Sequence, residues 1–184
     1  VNELLAKDKN TKIIIGPLYN FVQLKKIEKL IHSYDNIKLA VASEVVKNGI
    51  MTNINFDISD QKIVILPVGI EINDIKRSKF EDKTCLIYFK KRSSEELKSI
   101  TSLLKTKKIS YKVFKYGNYK NKDLINFAKK SHFGIILNKA ESQGIATLEI
   151  MSTNLPLLIF DYEKMFLENE ELEGTSVPYW SKEC

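Results

Sequence analysis

Cysteine is scarce in this chain, with two among 184 residues, Cys85 inside an apolar run and Cys184 at the end. Neither their number nor their spacing allows a disulfide framework or a thiolate metal site. A reducing compartment is the simpler inference, and a cytoplasmic location is expected. Histidine is equally sparse. His32 sits late in a predicted helix and His132 just before a predicted strand, so both are read as structural, and a Ser-His-Asp triad or a His/Cys metal cluster has no support. No apolar run approaches the roughly 18 residues that cross a bilayer. No signal peptide is read at the start, but the sequence opens on Val1 rather than Met, and a fragment of a longer gene product is expected.

What is present is the composition of an ordinary globular protein, 43% hydrophobic and 28% charged. The net charge of +6 suits nucleic acid, an anionic membrane face or phosphorylated small molecules. The lysines are scattered, as in Lys25, Lys26 and Lys29 or Lys98, Lys105, Lys107 and Lys108, with no nucleic-acid-binding module around them. Most are read as solvated helix faces, and no nucleic-acid partner is expected. Peripheral membrane contact stays open.

Apolar runs punctuated by Gly and Pro give the organisation. Lys12 to Gly16 predicts a strand, Asn20 to Ser33 an amphipathic helix carrying Phe21, Leu24, Ile27, Leu30 and Ile31, and Ile37 to Ala42 a second strand. Ser43 is placed to cap a short helix over Glu44 to Asn48, and Lys62 to Leu66 is a third strand closed by Pro67. Ile72 to Lys83 reads as a connection. From Thr84 the alternation resumes, with Cys85–Phe89 as a strand, a helix opened by Ser93 or Ser94 with Glu95 and Glu96, a strand over Tyr111 to Tyr116, a helix over Asn121 to Ser131, and a strand over Phe133 to Leu137. This is α/β alternation of the kind that builds Rossmann-like parallel sheets, with a first domain over residues 1–78 and a second over 79–184. Ligands of such sheets bind beyond the carboxyl ends of the strands. Three clusters fall on that edge: Lys90-Lys91-Arg92, Tyr116-Gly117-Asn118, and Asn138 to Gly144.

The last cluster opens the most informative stretch, Glu141-Ser-Gln-Gly-Ile-Ala-Thr-Leu-Glu149, followed by a Pro156-led apolar run to Asp161. Gly144 frees the backbone for a tight turn, and a helix opening there offers unpaired N–H groups and a positive dipole end to a phosphate. Glu141 then belongs to the loop before the helix and Glu149 to its second turn, so both flank one helix mouth. Ionised carboxylates only accept hydrogen bonds, which suits them to sugar or ribose hydroxyls.

The paired glutamates, the glycine between them and the Met-x-x-Asn-x-Pro that follows resemble the donor-binding motif of retaining two-domain B-type (GT-B) glycosyltransferases, the group 1 kind. The resemblance covers residues 84–161 well and 12–71 loosely. The Pro67-Val-Gly69-Ile70-Glu71 segment is similar to one that ends the family's first domain. Tyr-Phe-Lys-Lys-Arg and the tail from Gly174 to Trp180 look similar to short glycosyltransferases of large DNA viruses and some bacteria.

The resemblance implies transfer of a sugar from a nucleotide-diphosphate-sugar donor to a sugar, lipid or protein acceptor, without metal or cofactor and with retention. Glu141 would orient the donor sugar and Glu149 the ribose. The backbone of Gly144 and Ile145, with Ser142 and Gln143 beside it, would meet the diphosphate, whose charge Arg92 with Lys91 or Lys90 would neutralise. Tyr116 would stack on the base while Gly117 reads its edge. The family often has an aromatic where this chain has Gln143, and a Gly-Arg, then Lys-Gly, where it has adjacent charges. Two alternatives accompany this reading: a non-catalytic nucleotide-sugar or phosphate-binding module, and a basic nucleic-acid-interacting domain. The tail either folds back over the sheet edge or forms an apolar plug.

Overall fold

The computed structural model describes residues 11–18, 21–52, 57–72, 83–162, 164–167, 170–173 and 175–178. They form two compact units, the first of the described residues up to Val68 together with Pro178 and the second of those from Gly69 to Val177. The boundary expected at 78/79 and most of the connection before it lie outside the described residues, as do Trp180 and Cys184.

In the first unit β1 (Ile13–Leu18), α1 (Phe21–Ser33), β2 (Ile37–Val41), α2 (Glu44–Thr52), a 3-10 turn (Asp60–Lys62) and β3 (Ile63–Ile65) follow in order. The three strands are parallel and adjacent in sequence order, β1-β2-β3. Each crossover therefore steps the same way, and right-handed connections put both helices on one face. That face carries the core: Ile37, Leu39, Val41 and Ile63 under Ile31 and Ile50, with Ile13, Ile15, Ile27 and Leu30 packed around them. Asn20 and the side chains of Phe21 and Leu24, the rest of the expected stripe, lie outside the described residues. Ser43 caps α2 as its sequence suggests, its hydroxyl accepting from Val46 N–H at 3.3 Å.

In the second unit β4 (Thr84–Lys90), α3 (Ser94–Thr106), β5 (Ser110–Lys115), α4 (Asn121–Lys130), β6 (Phe133–Asn138), α5 (Ile145–Met151) and β7 (Leu157–Ile159) form a parallel sheet of order β5-β4-β6-β7. Here the chain steps one way from β4 to β5 and back the other way to β6 and β7, so the helices divide between the faces. Cys85, Ile87, Ile135 and Leu137 pack on α3 through Leu97, Ile100 and Leu104. Leu86, Tyr88, Phe114 and Ile136 pack on α4 and α5 through Leu124, Ala128 and Ile150. Burial on both faces explains why β4 reads as an unbroken apolar run rather than an alternating one. Each such aliphatic side chain contributes about 1.5–3 kcal/mol on leaving water. The architecture is α/β and Rossmann-like.

Beyond β7 an antiparallel pair, β8 (Lys164–Leu167) and β9 (Glu170–Glu173), was not anticipated from the sequence.

Candidate functional site at the strand ends

Reversal of direction at β4 leaves β4 and β6 side by side with connections leaving to opposite sides. Their carboxyl ends flank the crevice that such a switch point creates. Lys90 ends β4 and Asn138 ends β6, and the two are register partners. Glu141 lies three residues beyond Asn138 and joins both: Lys90 Nζ is 2.8 Å from its Oε2, and Asn138 Nδ2 donates to its Oε1 at 3.3 Å. The ion pair is largely shielded, with side chains 15% and 7% exposed for Lys90 and Glu141. Shielded pairs hold together only when further hydrogen bonds satisfy their remaining atoms, and the returning segment 175–177 supplies the frame. Thr175 O accepts from Glu141 N–H at 3.0 Å, and Ser176 O accepts from Asn138 Nδ2 at 2.8 Å. This part of the tail does fold over the sheet edge.

Asp161, just past β7, fastens that strap: its Oδ1 accepts from Tyr162 N–H, Ser176 N–H and the Thr175 hydroxyl at 2.8, 2.8 and 3.0 Å. Partial burial pushes the Asp161 carboxyl up, but the hydrogen bonds from Ser176, Tyr162 and Thr175 outweigh it and leave the group below its ordinary value.

On the β5 side the cluster continues into tyrosines. Lys90 Nζ stands 4.5 Å from the Tyr116 ring centroid, and Tyr116 is otherwise exposed. Gly117, with φ of 81°, turns the chain after it. Tyr119 then packs edge-on against Tyr88 and Phe114, with ring centroids 6.2 and 5.9 Å away. Burial is the main reason both phenols are pushed up; the charges of Glu149 and Glu141 add to this at Tyr119, and that of Glu141 at Tyr88. Asn121 opens α4 just past the carboxyl end of β5, so the side chain that bonds it, Glu149, lies toward the same edge of the sheet as Glu141. Glu149 is held by Asn121, whose Nδ2 donates to Oε1 at 2.9 Å.

Gly144 is the N-cap of α5, left-handed at φ 72° and ψ 42°, as its place in the motif requires. No side chain caps the helix there. With seven residues α5 has a short dipole, so the side chains around it matter more than the helix end. Gln143 is buried, Ser142 half-buried, and Ile145 exposed at the helix start. Three buried polar atoms lack hydrogen-bond partners among the described residues, Arg92 Nε, Asn138 Oδ1 and Thr147 Oγ1.

The basic triplet separates. Lys90 enters the Glu141 cluster, while Lys91 is exposed in a left-handed turn at φ 56°. Arg92 packs toward the segment after β7: its guanidinium is 5.2 Å from the Tyr162 ring, as is Lys139 Nζ. Arg92 Nε lies 3.2 Å from Glu96 Oε1, an ion pair without hydrogen-bond alignment, and its side chain is 7% exposed. Glu96 is itself committed to the capping box of α3 with Ser93. His132 accepts from Thr84 N–H through Nδ1 at 3.1 Å and lies at the opposite end of β4, in keeping with a structural role.

Sequence reasoning had no means of finding Tyr119, Asn121 and Tyr162 as parts of this edge, and it placed Tyr88 only within an apolar strand. A tyrosine inside a strand reads as core, and the others meet the motif only through tertiary contacts. Among the described residues no group of three or more His, Cys, Asp or Glu side chains could hold a metal ion, and no helix is long and apolar enough to cross a membrane. No family model, curated protein or solved structure matches the chain.

Proposed function

We propose that the second unit binds a nucleotide-diphosphate sugar across the carboxyl ends of β4 and β6 and that the protein is a retaining glycosyltransferase of the B-type. The observation that carries this reading is the Lys90–Glu141–Asn138 cluster at the switch point, with Glu149 bonded to Asn121 at the helix start beyond β5. Carboxylates and an unfilled Asn138 Oδ1 are acceptors for ligand hydroxyls. Tyr116 offers an exposed face to a base. Arg92, with Lys139 across the Tyr162 ring, supplies the positive charge a departing diphosphate needs.

In this reading Lys90 has a different part from Lys91. It holds Glu141 in place and lies under the base platform, whereas Lys91 remains solvated until a ligand arrives. Glu141 orients the donor sugar, Glu149 takes ribose hydroxyls, and the Gly144–Ile145 backbone meets the diphosphate. The acceptor is a sugar, lipid or protein.

A second reading, a nucleotide-sugar-binding module without turnover, is favoured by the pairing of the charged groups with one another: Glu141 with Lys90 and Arg92 with Glu96. Two measurements decide. Titration with uridine and guanosine diphosphates should give saturable binding that Glu149→Ala weakens at least about tenfold, since a lost hydrogen bond to a charged group is worth about 1.5–3 kcal/mol. Incubation with the nucleotide-sugar should then release free nucleotide if the protein is a transferase. Binding without release leaves the module. Oligonucleotide binding that collapses with salt, with no nucleotide affinity, would displace both.

A further inference from the structure

Side chains from beyond three neighbouring strands meet on one ring. Arg92 lies two residues past β4, Lys139 directly follows β6, and Tyr162 comes three residues after β7. The Arg92 guanidinium carbon and Lys139 Nζ each stand 5.2 Å from the Tyr162 ring centroid, inside the roughly 6 Å over which an aromatic face attracts a cation. The backbone of Tyr162 is anchored independently of both cations. Its N–H donates to Asp161 Oδ1 at 2.8 Å, and that oxygen also accepts from Ser176 N–H and the Thr175 hydroxyl.

A ring holds a cation differently from a carboxylate. At the neighbouring Lys90, Glu141 meets the ammonium at 2.8 Å, and the charge is neutralised within the fold. An aromatic face attracts through its quadrupole and leaves the net charge in place. Arg92 shows the consequence: its side chain is only 7% exposed, yet Nε has no hydrogen-bond partner among the described residues. Its ion-pair partner Glu96 is 43% exposed, and the other oxygen of that carboxylate accepts from Ser93 N–H at 3.0 Å, so Glu96 offsets only part of the charge. A guanidinium held in this way suits an anion that brings its own acceptor oxygens. A second cation on the same ring suits an anion with charge on two centres.

We propose that Tyr162 is a positioning residue that gathers Arg92 and Lys139 on one ring without neutralising them, and so makes the site favour a diphosphate over a monophosphate. The inference rests on the nucleotide-binding reading given above. The contacts are to the ring of Tyr162 and not to its hydroxyl, so Tyr162→Phe preserves them.

The test measures the affinity of the full chain for uridine and guanosine diphosphates and for the corresponding monophosphates, in wild type, Tyr162→Phe and Tyr162→Leu. Melting temperature checks folding, and Tyr162→Met replaces Tyr162→Leu if the latter does not melt cooperatively. Wild type should prefer the diphosphate by about tenfold. Tyr162→Leu should weaken diphosphate binding by about tenfold, the order of two cation–ring contacts, and change monophosphate affinity by less than about twofold. Tyr162→Phe keeps the ring and should stay within about twofold of wild type for both. Four results overturn the inference and leave nucleotide binding intact: no diphosphate preference in wild type, unchanged diphosphate affinity in Tyr162→Leu, an equal loss for diphosphate and monophosphate, or a loss in Tyr162→Phe as large as in Tyr162→Leu. Absence of binding by the wild type to either diphosphate removes the nucleotide reading itself and this inference with it.

Discussion

The two parallel sheets are built from the same material and differ in one topological respect. In the first, β1, β2 and β3 lie in sequence order, so no pair of neighbouring strands sends its connections in opposite directions. Ala42-Ser43 and Leu66-Pro67, residues that turn the chain or cap a helix, follow its second and third strands, and Gly16-Pro17 breaks the register within the first. In the second, the reversal at β4 opens a crevice between β4 and β6, and this is where Lys90, Asn138 and Glu141 meet. Apolar β-runs of similar length thus form a packed sheet in one unit and a packed sheet with a polar edge in the other. Order of strands, more than their composition, decides where chemistry can be placed.

The comparison breaks most visibly at Glu141. Replacing it by Ala leaves Lys90 and Asn138 facing a shielded site without their partner, and loss of one member of a buried pair costs about 3–5 kcal/mol. Denaturant unfolding of Glu141→Ala should show a loss near that size, with affinity for the nucleotide-sugar abolished. The double variant Lys90→Met/Glu141→Leu separates the two roles. It should recover most of the stability, because an apolar pair of similar volume often replaces a buried ion pair without loss, yet bind no nucleotide-sugar. Recovery of binding as well would mean that the cluster is scaffold only.

The corresponding change in the first sheet should touch stability alone. Ile37 is fully buried in β2, and Ile37→Val should cost about 0.5–1.5 kcal/mol. Nucleotide affinity measured on the folded variant should match wild type. A parallel fall in affinity would show that the first unit contributes to the site.

Tyr116→Ala should sharpen the contrast from the other side, since the ring is 59% exposed and its packing contributes little. Loss of the Lys90 contact should cost about 0.5–1 kcal/mol. If the ring carries a base, nucleotide affinity should fall by about tenfold, consistent with about 1–3 kcal/mol for stacking on an aromatic. An unchanged titration would remove Tyr116 from the site.

How much of this was legible in the sequence follows from the range of the interactions. Each parallel strand reads as an apolar run closed by a punctuating or polar residue, and Ser43 and Ser93 mark helix starts through bonds to N–H groups three residues away. Gly144 is legible for the same local reason. The antiparallel β8–β9 pair is not: Lys164-Met-Phe-Leu and Glu170-Glu-Leu-Glu lack the flanking turn dipeptides that announce a hairpin. The site was half legible. Spacing put Glu141 in the loop before one helix and Glu149 in its second turn, but the cation that meets Glu141 is Lys90, selected by a register of β4 against β6 that adjacent charges in sequence cannot reveal. Tyr119 and Ser176 reach the edge only after the chain has folded back on itself.

The smallest expected effect concerns the strap over β6. Asp161 gathers three donors from Tyr162, Thr175 and Ser176, and its carboxyl lies below the ordinary value because those bonds outweigh its partial burial. A carboxyl depressed on folding contributes stability that is fully present above its unfolded value, about 3.9, and is lost as pH falls through the folded value. Asp161→Asn keeps an acceptor oxygen and removes the titration. Wild type should therefore lose a little more stability than Asp161→Asn as pH is lowered from 5 to about 3, with the two curves parallel above pH 5. Because the strap also holds the backbone of Glu141 through Thr175 O, affinity for the nucleotide-sugar in wild type should weaken over the same interval and weaken less in the variant. Identical acid profiles for both proteins would mean that the strap is held by Ser176 and its bonds to Asn138 and Phe160 without help from the carboxylate.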